Sequence, residues 1–459
     1  MAGIHFTREQ QEAIDTTDKS VLVSAAAGSG KTAVLIIGII TSGKADVDQM
    51  VIVTFTNAAA SEMKLKLMKA IRKEMSATSD RDRRRELSRQ LDIMHRANIS
   101  TFHGFAMKLI KEFFYKTDME PGFRVIDDTR NSLLKIDTME QLFQDCFEDD
   151  DLIPGGSFRD FMEHYSGDRN ENAIRDQIIQ SYEKLRAMPD YFQWAENCAD
   201  QLADKGSIQD SPVYDKMCSY IRSRMDEAAG LCRRTHDLAE DAGCPKMAEK
   251  LMKDMKKITE WKDQAMSGDV DETFFDAIRK QSFERMAATK AEKDAWNEIK
   301  DQVKALRDGK LGYKGILSGM ADAFAPEGLE TSFSEMYETE KYLRYYIGIM
   351  KEFEKRFAMG KKELNAVDFG DIEHMALDIL RDDGIAAGLR ERYRFFFIDE
   401  YQDTNYIQEA LINRISRPDN VFRVGDVKQS IYRFRQAEPE IFMETRRRYA
   451  SEDNRDAVA

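Results

Sequence analysis

Residues 21–32 read VLVSAAAGSGKT, and the expected fold follows from how the stretch changes character along its length. The apolar run Val21-Leu22-Val23 gives way to the small residues Ser24, Ala25, Ala26 and Ala27. Gly28-Ser29-Gly30-Lys31-Thr32 comes next, then a second apolar run from Ala33 to Ile40. A strand feeding a glycine turn that opens a helix is the geometry of a phosphate-binding loop. Small side chains let backbone N–H groups curl around phosphate oxygens, and the helix N-terminus adds partial positive charge. In that arrangement Lys31 reaches the β- and γ-phosphates and the Thr32 hydroxyl sits on Mg²⁺. Ala25 stands where the strict pattern G-x-x-x-x-G-K-[ST] has its first glycine. A glycine-bearing turn after an ordinary core strand is the plainer reading. The strand–turn–helix context on both sides favours the phosphate loop, and with it a nucleoside triphosphate.

The totals bound the rest. At 459 residues the chain exceeds one ordinary core, which predicts two or three domains. Hydrophobic residues at 42% and charged residues at 33% fit a globular protein and exclude a disordered one. The start of the chain lacks a basic-then-apolar pattern, and the run from Ala33 to Ile40 is too short to span a membrane. Five cysteines (Cys146, Cys198, Cys218, Cys232, Cys244) form no C-x-x-C pair, which points to free thiols in a reducing cytoplasm. A net charge of −14 excludes holding nucleic acid by a bulk positive field, though not by a local groove.

Upstream of the loop, Phe6-Thr7-Arg8-Glu9-Gln10 starts a helix with Thr7 as N-cap. The Gln10 amide is able to pair with an adenine edge, and a solvated helix residue is the alternative. Downstream, Met50 to Phe55 (MVIVTF) reads as a second buried strand, and Thr56-Asn57-Ala58 enters a long helix. Phe55 and Asn57 fall at the strand's C-terminal end, where open α/β sheets place ligand contacts. The arginines Arg81, Arg83, Arg84, Arg85 and Arg89, interspersed with acids, read as a solvated helix face. Asn98 to Phe102 (NISTF) reads as a third strand leading through His103-Gly104 into an amphipathic helix. For His103 a core histidine, a polar DNA contact and a catalytic base are all open, the last weakest because no Ser or Cys nucleophile is near.

From about Thr117 the character turns helical, charged and Met-rich, as in the single apolar face Leu343, Tyr346, Ile347, Met350, Phe353 and Phe357. The α/β pattern resumes near Asp368. Phe395-Phe396-Phe397-Ile398 runs into Asp399-Glu400-Tyr401-Gln402-Asp403-Thr404, a buried strand delivering two acids to the sheet edge. Beside a phosphate loop, Asp399 serves to hold Mg²⁺ and Glu400 to polarise the attacking water. Val421 to Gly425 (VFRVG) is a further strand. Past it, Gln429 is placed to sense a γ-phosphate. Tyr432, Phe434 and Arg435 mix rings with cations, as a single-strand track or an interdomain surface requires.

Together these blocks resemble the first motor domain of superfamily 1 DNA helicases of the UvrD/Rep type. FTREQ is similar to the family's Q motif, AAAGSGKT to motif I and VTFTNAAASEM to motif Ia. ISTFHGF is similar to motif Ib, FIDEYQDT to motif II and VGDVKQSIYRFR to motif III. Within the family, Ala58, Val427-Lys428, PGFRV at 121–125 and YRFRQAEPEIF at 432–442 look most like AddA, the RecB-like motor of a helicase–nuclease. The resemblance implies an α/β fold: a RecA-like P-loop NTPase domain, a parallel sheet flanked by helices, carrying a large helical insertion. Its parts would be residues 1–116, an inserted helical domain at 117–365, and 366–459.

The resemblance further implies ATP and Mg²⁺ as ligands, with the phosphate loop at Ala25, Ala26, Ala27, Gly28, Ser29, Gly30, Lys31 and Thr32. Gln10 would contact adenine, Thr32 and Asp399 the metal, Glu400 the water and Gln429 the γ-phosphate. Phe55, Asn57, Phe102, His103, Tyr432, Phe434 and Arg435 would line the path of single-stranded DNA, along which the motor moves 3′ to 5′ in double-strand break repair. An AddB-type partner is implied, and no membrane. A stand-alone UvrD-like helicase and a nucleotide-dependent DNA-binding module without turnover are the alternatives. The sequence reaches Ala459 without counterparts of motifs IV to VI, whose arginine completes the γ-phosphate site in the family. The expectation is therefore tight Mg-ATP binding with slow hydrolysis by residues 1–459, read by steady-state ATPase with and without single-stranded DNA.

Overall fold

A computed structural model describes residues 8–16, 18–24, 31–120, 122–166, 170–203, 208–268, 270–324, 327–426, 438–450 and 457–458. The chain forms two compact units. One comprises Met1–Ile153, Ser157–Gln193 and Gly348–Ala459, and the other Pro154–Gly156 with Trp194–Ile347.

The first unit is α/β. Its strands in chain order are β1 (Ser20–Ser24), β2 (Met50–Thr54), β3 (Asn98–Thr101), β4 (Arg124–Val125), β5 (Ala366–Val367), β6 (Phe395–Ile398), β7 (Val421–Gly425) and β8 (Ala457–Val458). Six make one sheet in the order β3-β2-β6-β7-β1-β8, and every pairing in it is parallel. β4 and β5 form a separate parallel pair. The register sets Val51 against Phe396, Phe396 against Val421, and Val21 against Phe422.

Strand side chains alternate between two cores, one on each face. Val51, Val53, Phe396, Ile398 and Val421 join one, with helices Phe102–Glu112, Phe369–Leu380 and Tyr406–Ile415 over them. Met50, Ile52, Phe395, Phe397 and Phe422 join the other, under helices Lys31–Thr41 and Asn57–Ala77. A strand covered on both faces must be apolar at every position, which is why MVIVT and FFFI carry no alternation in sequence.

The strands anticipated from sequence are present, but β2 ends at Thr54 and β3 at Thr101, each one residue earlier than expected. Phe102 is the first residue of a helix because the Thr101 hydroxyl caps it, accepting the Gly104 N–H at 3.2 Å. Thr56 does the same for the helix after β2, accepting from Ala59 at 3.1 Å. Arg81, Arg84, Arg85 and Arg89 are exposed on helix Arg81–Asp92, as a solvated face requires. In helix Glu340–Glu363, Tyr346, Ile347, Met350, Phe353 and Phe357 are buried.

The second unit is helical among its described residues. Helices Pro212–Asp241 and Pro245–Ser267 pack as a hairpin, turned at Gly243 with φ 72°. Buried in it, Asp254 accepts from Arg307 Nε at 3.0 Å and Tyr313 OH at 2.7 Å. All five cysteines are free, four of them buried. No described helix is long and apolar enough to cross a membrane.

One charge sits deep in the first unit. Arg423 of β7 is 1% exposed, gives Nη2 to Glu409 at 2.7 Å and Nη1 to the Tyr449 hydroxyl at 2.6 Å, and lies over the Tyr401 ring. Arg423→Ala strands the Glu409 carboxylate, and a loss of about 3–5 kcal/mol is expected. The pair Arg423→Met with Glu409→Leu is expected to recover most of it in calorimetric unfolding, because no charge is then left unpaired.

Candidate functional site

The site grows from the C-terminal edge of the sheet. β6 ends at Ile398, and the ladder continues one residue further, because the Asp399 N–H donates to Val53 O at 2.9 Å. That bond fixes the backbone from which the Asp399 carboxylate projects. Two strands away, β1 leads toward helix Lys31–Thr41. Thr32, in its first turn and 4% exposed, donates Oγ1–H to Asp399 Oδ1 at 2.7 Å. Burial pushes the Asp399 carboxyl above its ordinary value. The Thr32 hydrogen bond opposes this, and the negative charge of Glu400 adds to it.

Glu400 follows in the left-handed region, φ 54° and ψ 45°, a conformation that costs a non-glycine residue on the order of 1 kcal/mol. The turn holds it there: Asp403 N–H donates to Glu400 O at 2.9 Å, and Gln402 Nε2 donates to Glu400 Oε2 at 2.7 Å. Asp403 is 8% exposed, and its Oδ1 is buried with no partner among the described residues. Burial, and then the charge of Glu400, pushes its carboxyl up to about 6.

A cleft of about 680 Å³ opens over this edge. Its lining includes Phe55, Asn57, Phe102, His103, Asp399 and Glu400. Residues singled out separately in sequence, from the ends of β2, β3 and β6, thus share one cavity. His103 Nε2 lies 3.2 Å from Glu373 Oε1, an acid that also accepts from Gln408 Nε2 at 2.7 Å. The catalytic-base reading of His103 gains no support from these neighbours, which include no Ser or Cys.

Gln10 lies in helix Arg8–Asp15 and Lys31 opens helix Lys31–Thr41, but the side chains of both are outside what the structure describes. Ala25, Ala26, Ala27, Gly28, Ser29, Gly30, Gln429, Tyr432, Phe434 and Arg435 also fall outside the described residues.

The sequence reading missed several lining residues. Phe369 is 48% exposed in the cleft, with its ring 4.7 Å from that of His103. A phenylalanine directly after the helix cap Asp368 was the signal available, since the first helical residue seldom reaches a core. Glu373 and Asp403 gave no signal that separates them from surface polar residues.

Thr32 and Asp399 offer a hydroxyl and a carboxylate, a hard-oxygen donor set of the kind Mg²⁺ takes. The comparisons with known proteins agree with the motif reading. The chain belongs to the UvrD/REP helicase N-terminal domain family, which matches residues 6–450. It is similar to an ATP-dependent helicase/nuclease subunit from Alkaliphilus metalliredigens, 33% identical over 445 residues, 96% of this chain and 36% of that protein. The proteins of the same name from Alkaliphilus oremlandii (35% over 459 residues, 98% and 37%) and Geobacillus kaustophilus (33% over 473 residues, 98% and 37%) are similar in the same way. The chain therefore spans a little over a third of the length of the curated relatives it matches. The helicase resemblance drawn from six motifs is borne out.

The Asp403 carboxyl gives a pH-dependent stability. The folded state keeps this proton to about pH 6, whereas the unfolded chain releases it near the ordinary value of 3.8, so ionisation at neutral pH is destabilising. That cost is full above the folded value and vanishes as pH falls through the unfolded one. Asp403→Asn is expected to raise Tm by about 1–2 °C at pH 7.5. The gain should shrink steadily between pH 6 and 4, as followed by scanning calorimetry.

Proposed function

We propose that this chain is the first motor segment of an AddA-type helicase–nuclease, which hydrolyses ATP to move 3′ to 5′ along single-stranded DNA in double-strand break repair. The observation that carries the reading is the 2.7 Å hydrogen bond from Thr32 to Asp399, which joins the helix after the glycine loop to the acidic end of β6. Gln10 takes the adenine edge, the loop from Ala25 to Lys31 cradles the phosphates, and Gln429 senses the γ-phosphate. Thr32 and Asp399 hold Mg²⁺, which when bound neutralises charge that develops on the phosphate oxygens. Glu400 accepts a proton from the attacking water as the water oxygen bonds to the γ-phosphorus. The bond from that phosphorus to the β–γ bridging oxygen breaks, and ADP leaves with the electron pair.

Single-stranded DNA occupies the cleft. Its described lining carries Asp128, Glu183, Asp368, Glu373, Asp399, Glu400 and Asp403 against Lys135 and Arg186, so stacking outweighs attraction to phosphate there. Phe55, Phe102 and Phe369 offer the rings, with Asn57 and His103 as polar contacts, and Tyr432, Phe434 and Arg435 extend the track. The word subunit in the relatives' name supports a partner chain in the whole protein, here read as AddB-type.

Two variants test the reading. Glu400→Gln is expected to bind Mg-ATP normally and to lose about 10²- to 10⁴-fold in cleavage of bound ATP under single-turnover conditions. Phe102→Ala is expected to weaken binding of oligo-dT about tenfold with an unchanged dependence on salt, because a stacking contact releases no counterions. Undiminished cleavage in the first variant, or a flattened salt slope in the second, would sink the corresponding assignment.

A further inference from the structure

One buried amide at the sheet edge is hydrogen-bonded in two directions. Gln402 is 1% exposed and lies in the short turn Tyr401–Asp403. Its Nε2 donates to Glu400 Oε2 at 2.7 Å and to Asp403 Oδ2 at 3.3 Å, and its Oε1 accepts the Asp426 backbone N–H at 2.9 Å. Those partners dictate the orientation of the amide. Two carboxylates require its donors and an N–H requires its acceptor, so the flipped amide would set like against like. Gly425 makes the approach possible, because a Cβ there would stand 2.4 Å from Gln402 Oε1. Glu400 is thereby gripped by one oxygen, while its Oε1 has no hydrogen-bond partner among the described residues.

We propose that Gln402 is a positioning residue that ties the Glu400 carboxylate to the C-terminal end of β7, presenting the free oxygen of Glu400 to the attacking water. The inference rests on the role of Glu400 given above. Asp426 stands three residues ahead of Gln429 in the sequence, so a displacement at the end of β7 reaches Glu400 through a single side chain. Glutamate at position 402 cannot replace it, since it brings a third negative charge and no donor. Methionine has the length but leaves both Glu400 and the Asp426 N–H without their partner.

The test uses the full 459-residue chain in excess over radiolabelled ATP, with Mg²⁺ and saturating oligo-dT, and measures ATP affinity and single-turnover cleavage side by side. Gln402→Met and Gly425→Ala are each expected to keep the Kd for ATP within about threefold and to slow cleavage about 10- to 100-fold. The double variant is expected to be no slower than the slower single variant, since both changes break one link. Gly425→Ala leaves the amide in place and reads the link even where Gln402→Met fails to fold. Normal cleavage in either folded variant, additive slowing in the double variant, or slowing explained by lost ATP affinity overturns the proposal. Glu400→Gln that cleaves at the wild-type rate overturns the role of Glu400 and the inference with it.

Discussion

The hydrogen bond from Thr32 Oγ1 to Asp399 Oδ1 joins residues 367 positions apart, and the arrangement of the first unit makes it possible. Neither partner belongs to a strand, Thr32 lying in the first turn of helix Lys31–Thr41 and Asp399 one residue past β6. Asp399 is placed by the rung it adds to β2 after β6 ends. β7 lies between β6 and β1, so a shift in its pairing with either would carry the two groups apart. The long helical excursion between them leaves and returns through β4 and β5, paired with Arg124 opposite Ala366 and Val125 opposite Val367. Closing an excursion of that length costs little more than closing a short one, because the entropy grows only with the logarithm of loop length. The sheet edge therefore tolerates a large insertion on one side while holding its groups to hydrogen-bond distance.

What that edge holds among the described residues is a cluster of negative charge. Asp399 and Asp403 are both shifted toward the protonated form by burial and by Glu400 between them. Glu400 is held in a left-handed backbone conformation by the turn that follows it. Shifted acids and backbone strain persist only where surrounding structure over-determines them, and here β6, β7 and the Gln402 amide do so. Such an edge is complementary to a cation and to the proton lost by a water. A neutral ligand would leave the repulsion in place.

This division explains what the sequence could reveal. FFFIDE was legible because a strand buried on both faces has no polar position, so the first acid after it must mark the sheet edge. Of GSGKT, the helix start was legible: the structure opens a helix at Lys31, as the glycine-to-apolar change in the sequence suggests. Phe55, Asn57, Phe102 and His103 could be placed one by one at strand ends, and their meeting in one cleft follows from the order β3-β2-β6. Gln402, Glu373 and Arg423 were not legible. A glutamine four residues after a buried strand reads as solvated, and only the folded chain shows its amide shared between Glu400 and β7. Arg423 within VFRVG looks like an edge-strand charge, yet its partners arrive from either side in the chain, Glu409 from before it and Tyr449 from after it, and no local period encodes them.

The same reasoning accounts for the ions beneath the cleft. Asp368 caps helix Phe369–Leu380 by accepting the Asp371 N–H at 2.8 Å, while Asp371 Oδ2 accepts the Asp368 N–H at 2.9 Å. Lys361 Nζ and Arg186 bridge both acids at 2.6–3.1 Å. Burial opposes ionisation of Asp368, but Arg186 and Lys361 outweigh it and keep its carboxyl well below the usual range. For stability alone, apolar residues of similar volume would serve as well, since desolvating four charges consumes most of what their attraction returns. What four charges in one geometry add is direction. They fix the first turn of this helix, and that turn carries Phe369 into the cleft and sets Glu373 against His103. An apolar cap would bury the same area and leave the turn free to rotate, so the cluster is best understood as the mount for the aromatic wall of the cleft.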